Sequence, residues 1–420
     1  MRGATRIGAW LAAAVVGVAM LAGCGGDGRS GGTTSDASDW SSVFGQADGQ
    51  TVNWYVYGGS DAINRFVDET YGPPLRRLGV TLKRIPVADT VDAVNRVLAE
   101  KQAGTDPGVV DLIWINGENF TTLKQADLLR PGWAQTLPNA RFVDWSDPAL
   151  NRDFGVPVDD EESPWSSAQL QLIFDPARTP SGELPRSYRD FARWACDHRG
   201  RATYVAPGPG GFVGTRFVKG ALYELTGGAD RWVTFDQTVW DTESPKLWTY
   251  LNEIKPCLWR GGATYPRDEN QLHSLFANRE VDLSLTQAIA GPGALVDAGT
   301  IPKGSTTFVF DANMIGDFNY VAIPRNAPHP AAALVLANLL LEPRLQAAQA
   351  RPESGFGLGF GIDPARVTDA DDKRLLASAA ASRGPNATPI ADLRRALAPD
   401  ADPRYQDLIE REWRARVLGG

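Results

Sequence analysis

The strongest constraint on the fold is an alternation of short β-rich runs with amphipathic helical patterns in the first third of the chain. β-branched and aromatic residues cluster at 51–57, 80–87 and 109–115. Each run is followed by a stretch whose apolar residues recur three and four positions apart, as in a helix with one buried face. Strands that alternate with helices at this spacing form parallel sheets, because the helix returns the chain to the same edge. We therefore predict an α/β fold.

The length of the chain favours two lobes. Its 420 residues exceed what one hydrophobic core usually serves. After a loop-rich passage at 129–185, a second series of elements is predicted, and the chain then returns to the first lobe. The predicted elements are helices 187–199, 214–225, 243–255 and 268–278, strands 202–206, 281–286 and 320–324, helix 331–341, and a charged helical tail from 363.

The amino terminus is typical of an exported protein. Arg2 and Arg6 precede an apolar run at 7–22 that is short for a spanning helix. The run ends in Leu-Ala-Gly-Cys24, which resembles the bacterial lipoprotein lipobox, and this implies cleavage before Cys24 and its acylation. An ordinary signal peptide with a chance cysteine, or a signal anchor, is the alternative. The Gly, Ser, Thr and Asp that dominate 25–50 predict a flexible tether.

These features predict five segments. They are a signal peptide at 1–23, the lipidated cysteine and tether at 24–50, the first part of lobe 1 at 51–158, lobe 2 at 159–310, and a return to lobe 1 with carboxy-terminal helices at 311–420.

Two cysteines remain in the predicted mature chain, Cys196 and Cys257. An even pair in an oxidising compartment favours a disulfide, and two buried free thiols are the alternative.

Composition excludes several classes of function. The chain has 50 acidic and 42 basic residues, so a nucleic acid is not expected as its main partner. Three cysteines and three scattered histidines leave little for a metal site, and we expect neither a metal nor a cofactor. No lysine follows a glycine, which excludes the Walker A phosphate loop. Nothing in the sequence points to an enzyme.

Two predicted strand ends are the first candidates for a binding site. Ligands of open α/β sheets lie beyond the carboxyl ends of the strands. The first end is Tyr57, Gly58, Gly59 and Ser60, where glycines let backbone N–H groups approach a ligand; a plain tight turn is the alternative. The second is Asn116, Gly117, Glu118 and Asn119, which would otherwise only cap the following helix.

The predicted passage between the lobes supplies further candidates. Trp165 could offer a stacking face, and Ser166 and Gln169 could offer polar contacts. A core position for Trp165 at the lobe interface is the competing interpretation.

Several runs resemble solute-binding lipoproteins of ABC-type importers, and more closely the YnjB-type group of these proteins. The most specific are Asp-Leu-Ile-Trp-Ile-Asn-Gly-Glu-Asn-Phe at 111–120 and Glu-Ser-Pro-Trp-Ser-Ser-Ala-Gln-Leu at 162–170. The Leu-Ser-Leu-Thr run that ends at Thr286 is similar as well, and it makes Thr286 a candidate contact from lobe 2. There the chain continues as Gln-Ala-Ile, where the group has Phe-Asn-Pro.

The resemblance implies a two-lobed periplasmic-binding-protein-like fold of type II, with two crossovers and, in each lobe, a mostly parallel sheet flanked by helices. It also implies hinge closure on a small extracytoplasmic solute, delivery to ABC permease subunits, and a lipid-anchored location on the outer face of the cytoplasmic membrane. A thiamine-like solute is one suggestion the group carries.

The four acids at 159–162 leave two interpretations open. They form either a solvated hinge loop or the rim of the cleft, and the rim would favour a cationic solute. A carboxylate-based surface hydrolase and a binding or sensor module without transport are the alternative functions.

Overall fold

A computed structural model describes residues 40–59, 61–147, 149–208, 210–354, 357–384 and 387–419. The predicted signal peptide, Cys24 and most of the predicted tether lie outside these residues. The helices are α1 (Trp40–Ala47), α2 (Asp61–Phe66), α3 (Gly72–Arg77), α4 (Thr90–Ala103), α5 (Glu118–Gln125), α6 (Tyr188–Asp197), α7 (Phe212–Thr226), α8 (Gln237–Ile254), α9 (Glu269–Ala277), α10 (Gly293–Asp297), α11 (Pro330–Leu340), α12 (Pro343–Gln349), α13 (Ala370–Ser382), α14 (Ile390–Ala396) and α15 (Pro403–Trp413). The strands are β1 (Thr51–Tyr57), β2 (Thr81–Val87), β3 (Leu112–Ile115), β4 (Arg152–Asp153), β5 (Val156–Pro157), β6 (Glu162–Gln169), β7 (Gln171–Phe174), β8 (Leu283–Thr286), β9 (Thr306–Phe308), β10 (Met314–Ala322), β11 (Gly359–Phe360) and β12 (Leu397–Ala398).

The larger sheet has the strand order β11-β6-β10-β3-β1-β2, with β12 beside β10. Strands β1, β2 and β3 are parallel, as their alternation with helices predicts. Strand β10 returns from the other sheet and therefore runs antiparallel to both β3 and β6. One face of this sheet packs on α1, α3, α11 and α12, and the other packs on α4 and α5.

The smaller sheet has the order β8-β7-β9 and is antiparallel throughout, whereas we predicted a mostly parallel sheet. The connections explain the difference. Strand β7 continues the outward path of β6 after the single residue Leu170, whereas β9 leads back into β10, so β7 and β9 run in opposite directions. Helices α6 to α9 and α15 share the core around this sheet.

Sheet membership differs from the predicted segments at two places. We predicted lobe 2 to begin at residue 159, but β6 at 162–169 is a strand of the larger sheet. We assigned the carboxy-terminal helices to the return to lobe 1, but α15 packs in the core of the smaller sheet through Tyr405, Ile409 and Trp413. The lobes and their boundaries stay a prediction.

The predicted tether is wrong at its carboxy-terminal end. Residues 40–47 form helix α1, which packs on α11. Val43 and Ala47 are fully buried, and the indole nitrogen of Trp40 donates a hydrogen bond to the carbonyl of Thr136 at 3.1 Å. Apolar residues at positions 40, 43, 44 and 47 follow helical spacing, which the Gly/Ser-rich composition of the segment concealed.

The predicted strand at 202–206 is absent among the residues the structure describes. Its backbone bonds to three separate partners instead of one neighbouring strand. Trp259 donates to the carbonyl of Ala202, Ala206 donates to Pro266, and the flanking carbonyl of Arg201 accepts from Asp282. A run of apolar residues predicts burial here, but no single strand lies alongside to form a ladder.

Candidate functional site

The two predicted strand ends lie side by side at one edge of the larger sheet. Strands β1 and β3 pair with Tyr55 opposite Ile113, and this register carried forward brings Gly58 beside Asn116. Tyr57 is 42% exposed. Its hydroxyl oxygen lies against Gly59, only 2.2 Å from where a Cβ on that glycine would be. Ser60 lies outside the described residues.

The turn at Gly58 is held tightly. Its N–H donates to the carbonyl of Val87 at 2.8 Å, and its own carbonyl accepts from the Asn64 side chain at 2.9 Å. A Cβ at Gly58 would lie 2.4 Å from that of Pro86, so only glycine fits here.

The second strand end is fixed by contacts to its neighbours. The Asn116 side chain donates to the carbonyl of Phe318 at 2.9 Å. Gly117 has a φ of 58°, and its N–H donates to the Asp153 carboxylate at 2.7 Å. The positive φ and the ring of Phe154, 2.7 Å from a Cβ built there, both require glycine.

Glu118 and Asn119 follow at the start of α5. Glu118 is exposed, and desolvation by the surrounding protein raises the pKa of its carboxylate. Lys219 on α7 partly offsets this effect. Asn119 is partly buried, and its N–H donates to the carbonyl of Asn116.

Three of the predicted contacts are buried and do not offer a surface to a solute. Trp165 is fully buried against Trp54, Tyr71 and Trp114, with ring centroids 5.0–6.4 Å apart, so the core interpretation replaces the stacking face. Ser166 and Thr286 are 0% and 1% exposed. Residues distant in sequence bury all three, so the local sequence could not indicate it.

A cavity of about 640 Å³ is bordered by strands β6 and β10 and by the loop that follows β8. Its wall includes Ser167 and Gln169 of β6, Phe318 of β10, Phe360 of β11, and Ile289 from that loop. The Gln169 amide donates to the carbonyl of Leu393 at 2.8 Å. Among the described residues, Gln169 is the predicted contact that lines this cavity. The Asn116 side chain is joined to the wall by its hydrogen bond to the carbonyl of Phe318.

Most carboxylates in the cavity wall already have a cation. Asp144 accepts from Arg366 at 2.6 Å, and Asp363 is 3.9 Å from the same guanidinium. Asp317 pairs with the buried Arg216 of α7. Asp147, also in the wall, has no Lys, Arg or His within 4 Å among the described residues.

Sequence reasoning missed Asp147 and Arg383, which also line this cavity. Asp147 lies in the loop-rich passage, and Arg383 ends an Ala-rich helix. Neither position carries a local motif, and only the tertiary structure brings them to one cavity.

The acidic run does not line the cavity. Lys124 of α5 binds both Asp159, at 2.9 Å, and Glu161, at 2.8 Å, and Asp160 accepts the N–H of Gln135. Glu162 differs from these three because it is fully buried, which contradicts a wholly solvated loop. Burial, and secondly the Asp153 carboxylate, raise the pKa of Glu162 well above its usual range.

The structure joins Cys196 at the end of α6 to Cys257 in a disulfide, with Cα atoms 4.7 Å apart. The bond ties two parts of the core around the smaller sheet. Across the described residues there is no group of three or more His, Cys, Asp or Glu arranged to hold a metal ion. A search of the same residues finds no helix long and apolar enough to span a membrane.

Sequence comparison identifies the family. Residues 61–359 match the family described as bacterial extracellular solute-binding protein. The chain is also 38% identical over 381 residues to Protein YnjB of Escherichia coli strain K12, covering 90% of this chain and 93% of that protein. The chain therefore belongs to the bacterial extracellular solute-binding proteins, a family of exported transport proteins and not of enzymes.

Solved structures show the same fold at low sequence identity. The spermidine/putrescine ABC transporter substrate-binding protein PotD of Streptococcus pneumoniae gives a TM-score of 0.57 at 13% identity, covering 87% of this chain and 99% of that one. The periplasmic binding protein AfuA of Actinobacillus pleuropneumoniae, with fructose-6-phosphate bound, gives 0.57 at 12% identity, covering 88% and 98%. The predicted periplasmic-binding-protein-like fold is confirmed.

Proposed function

We propose that this protein captures a small organic cation outside the cytoplasmic membrane and presents it to the permease of an ABC-type importer. The observation that carries the proposal is the composition of the cavity wall. Strands β6 and β10 of the larger sheet and the loop after β8 of the smaller sheet border the same space. A solute held there would contact the larger sheet and the loop that leaves the smaller one, so its contacts would favour a closed state over an open one.

Two features of the wall support a cation. Asp147 supplies a carboxylate that has no ion pair among the described residues. Phe318 and Phe360 supply aromatic surface, which attracts cations through the ring quadrupole. The fold alone does not select the solute, because PotD is named for polyamines and AfuA holds a sugar phosphate. Thiamine is one cation of suitable size.

The strand ends extend this proposed site. Asn116 bonds to the backbone of Phe318 in the wall, so a solute that shifts Phe318 also acts on the Asn116–Asn119 turn. We assign Tyr57, Gly58, Gly59 and Ser60 to the outer contacts of the same site, since the strand register brings this turn beside Asn116.

A ligand panel tests the function. The mature protein, residues 25–420, is heated with thiamine, putrescine, spermidine, sugars and amino acids, and each compound is assayed for chemical change. We expect a cation to raise the melting temperature without being consumed. Consumption of the compound would contradict a binding protein and favour a hydrolase.

A matched pair of variants tests the role of Asp147. Asp147→Asn removes a charge-assisted contact and should weaken cation binding by about tenfold or more. Asp230→Asn, which neutralises an exposed carboxylate outside the wall, should bind like the wild type. Equal cation affinity in both variants would show that Asp147 does not hold the solute.

The location needs its own test. We propose that acylated Cys24 anchors the protein on the outer face of the membrane. Cys24→Ala should move the protein from the membrane fraction to the soluble fraction, and continued membrane association would refute the anchor.

A further inference from the structure

Arg383 occupies an unusual position at the carboxyl end of α13. It is only 8% exposed, and it lines the 640 Å³ cavity close to Ile289. One of its bonds is accounted for, since Nε donates to the carbonyl of Ile289 at 2.6 Å.

No carboxylate neutralises this cation. Nη2 of Arg383 is buried and has no hydrogen-bond partner among the residues that the structure describes. Arg394, the other arginine in the cavity wall, also has no ion pair among the described residues, but it is exposed to solvent whereas Arg383 is buried. Arg383 therefore keeps an unpartnered donor, in a residue that lines the cavity.

A charge in this state is costly to the folded protein. A buried guanidinium loses its hydration and here gains one carbonyl in return. Desolvation lowers the pKa of Arg383 to about 10, so the side chain remains charged at neutral pH. A buried polar group without a partner in a native protein calls for an explanation, such as a bound ion.

The surroundings indicate from which side a partner comes. Arg383 also borders a smaller cavity of about 250 Å³, whose wall includes the exposed carboxylates of Asp297 and Glu353. These acids have no ion pair among the described residues and repel an anion on that side. In the larger cavity, arginines neutralise Asp144 and Asp317, and Asp147 is left as a wall carboxylate without an ion pair among the described residues.

We propose that Arg383 binds an anionic group of the solute, a carboxylate or a phosphate, in the larger cavity. Guanidinium and these groups form paired, charge-assisted hydrogen bonds, for which the free Nη2 is suited. The inference rests on the proposed function, because it concerns the same cavity. It narrows the solute to a compound that carries a cationic group near Asp147 and an anionic group at Arg383.

Arg383 lies outside the residues that match the family. The match ends at residue 359, and Arg383 directly follows helix α13. Phe360, Asp363 and Arg394 of the same cavity wall also lie beyond the match.

The first test uses inorganic phosphate as the probe. The mature protein is melted in increasing phosphate, with chloride adjusted to hold the ionic strength constant. We expect phosphate at tens of millimolar to raise the melting temperature of the wild type and of Arg374→Gln. Arg374 is a matched control because it is an exposed residue of the same helix.

Arg383→Gln should abolish the phosphate response while melting at or above the wild-type temperature without phosphate, because it removes an unpaired buried charge. A phosphate response equal to that of the wild type would overturn the proposal. So would the absence of any response in the wild type.

The second test uses solute pairs that differ by one anionic group. Putrescine is compared with ornithine, which adds a carboxylate, and thiamine with thiamine monophosphate. We expect the anionic member to bind at least about tenfold more tightly to the wild type, and the two members to bind equally to Arg383→Gln. If Arg383→Gln still preferred the anionic member of each pair, this inference would be overturned and the proposed cation binding would stand. The Asp147→Asn variant tests the proposed function separately, through its loss of cation binding.

Discussion

The buried ion pair between Lys219 and Asp400 makes a quantitative prediction about how the carboxy-terminal segment is held. Nζ of Lys219 on α7 lies 2.6 Å from Oδ1 of Asp400 and 2.9 Å from Oε1 of Gln406. Both charged side chains are 1% exposed. The pair thus joins α7 to the segment that leads into α15, inside the core of the smaller sheet.

Lys219→Met removes the cation and leaves the Asp400 carboxylate buried without compensation. Breaking a buried pair in this way costs about 3–5 kcal/mol of unfolding free energy. At roughly 1.3 °C per kcal/mol for a folded body of about 380 residues, the melting temperature should fall by about 4–6 °C.

Differential scanning calorimetry at neutral pH measures the effect. The double variant Lys219→Met, Asp400→Leu replaces the whole pair with apolar groups and should recover most of the loss. Lys246→Met is the control, since Lys246 is 53% exposed in its pair with Glu243 and should cost less than about 1 kcal/mol. Equal losses in Lys219→Met and Lys246→Met would refute the reasoning.

Three further predictions concern stability. Glu162 has a raised pKa in the folded protein, so folding favours its protonated form, and the unfolding free energy declines as pH rises above the unfolded pKa of about 4.3. Glu162→Gln should therefore be more stable than the wild type in urea at pH 8 and equally stable at pH 4. Equal stability of the two proteins at both pH values would contradict this. Replacing Cys196 and Cys257 together with Ala should lower the unfolding free energy by about 2–4 kcal/mol, since the disulfide closes a loop with a sequence separation of 61, and an unchanged urea midpoint would exclude a stabilising bond. Val43→Asp should lower the melting temperature by placing a charge in the core beneath α1, whereas a true tether would tolerate it.

Local pattern was sufficient for the part of the fold built from regular strand–helix units. The runs at 51–57 and 80–87 form β1 and β2. In β1, the alternate residues Val52, Trp54 and Val56 are buried in the core. The apolar helix α11 is buried along nearly its whole length, as its Ala/Leu composition predicts.

Pattern was insufficient where burial depends on distant partners. Residues 202–206 are as apolar as a strand, but their backbone bonds go to Trp259 and Pro266. Trp165 has the residue type of a stacking platform, but Trp54 and Tyr71 enclose it. Neither outcome is encoded within a window of neighbouring residues.

The candidate site divides in the same way. Gly58 and Asn116 could be placed at a sheet edge because parallel strands end together. Asp147 and Arg383 are separated by more than half the chain, and among the described residues neither has a charged partner. Whether a side chain is paired is a property of the folded protein, which the local sequence does not indicate.

Native mass spectrometry of the gently purified mature protein, after incubation with a small-molecule extract, tests the central claim most directly. The proposed function predicts one non-covalent adduct that carries a cationic group, is released chemically unchanged on denaturation, and is lost in Asp147→Asn. The inference about Arg383 adds an anionic group to this compound and predicts a weaker adduct in Arg383→Gln. A protein that retains no small molecule, or that releases a chemically altered one, would contradict solute capture.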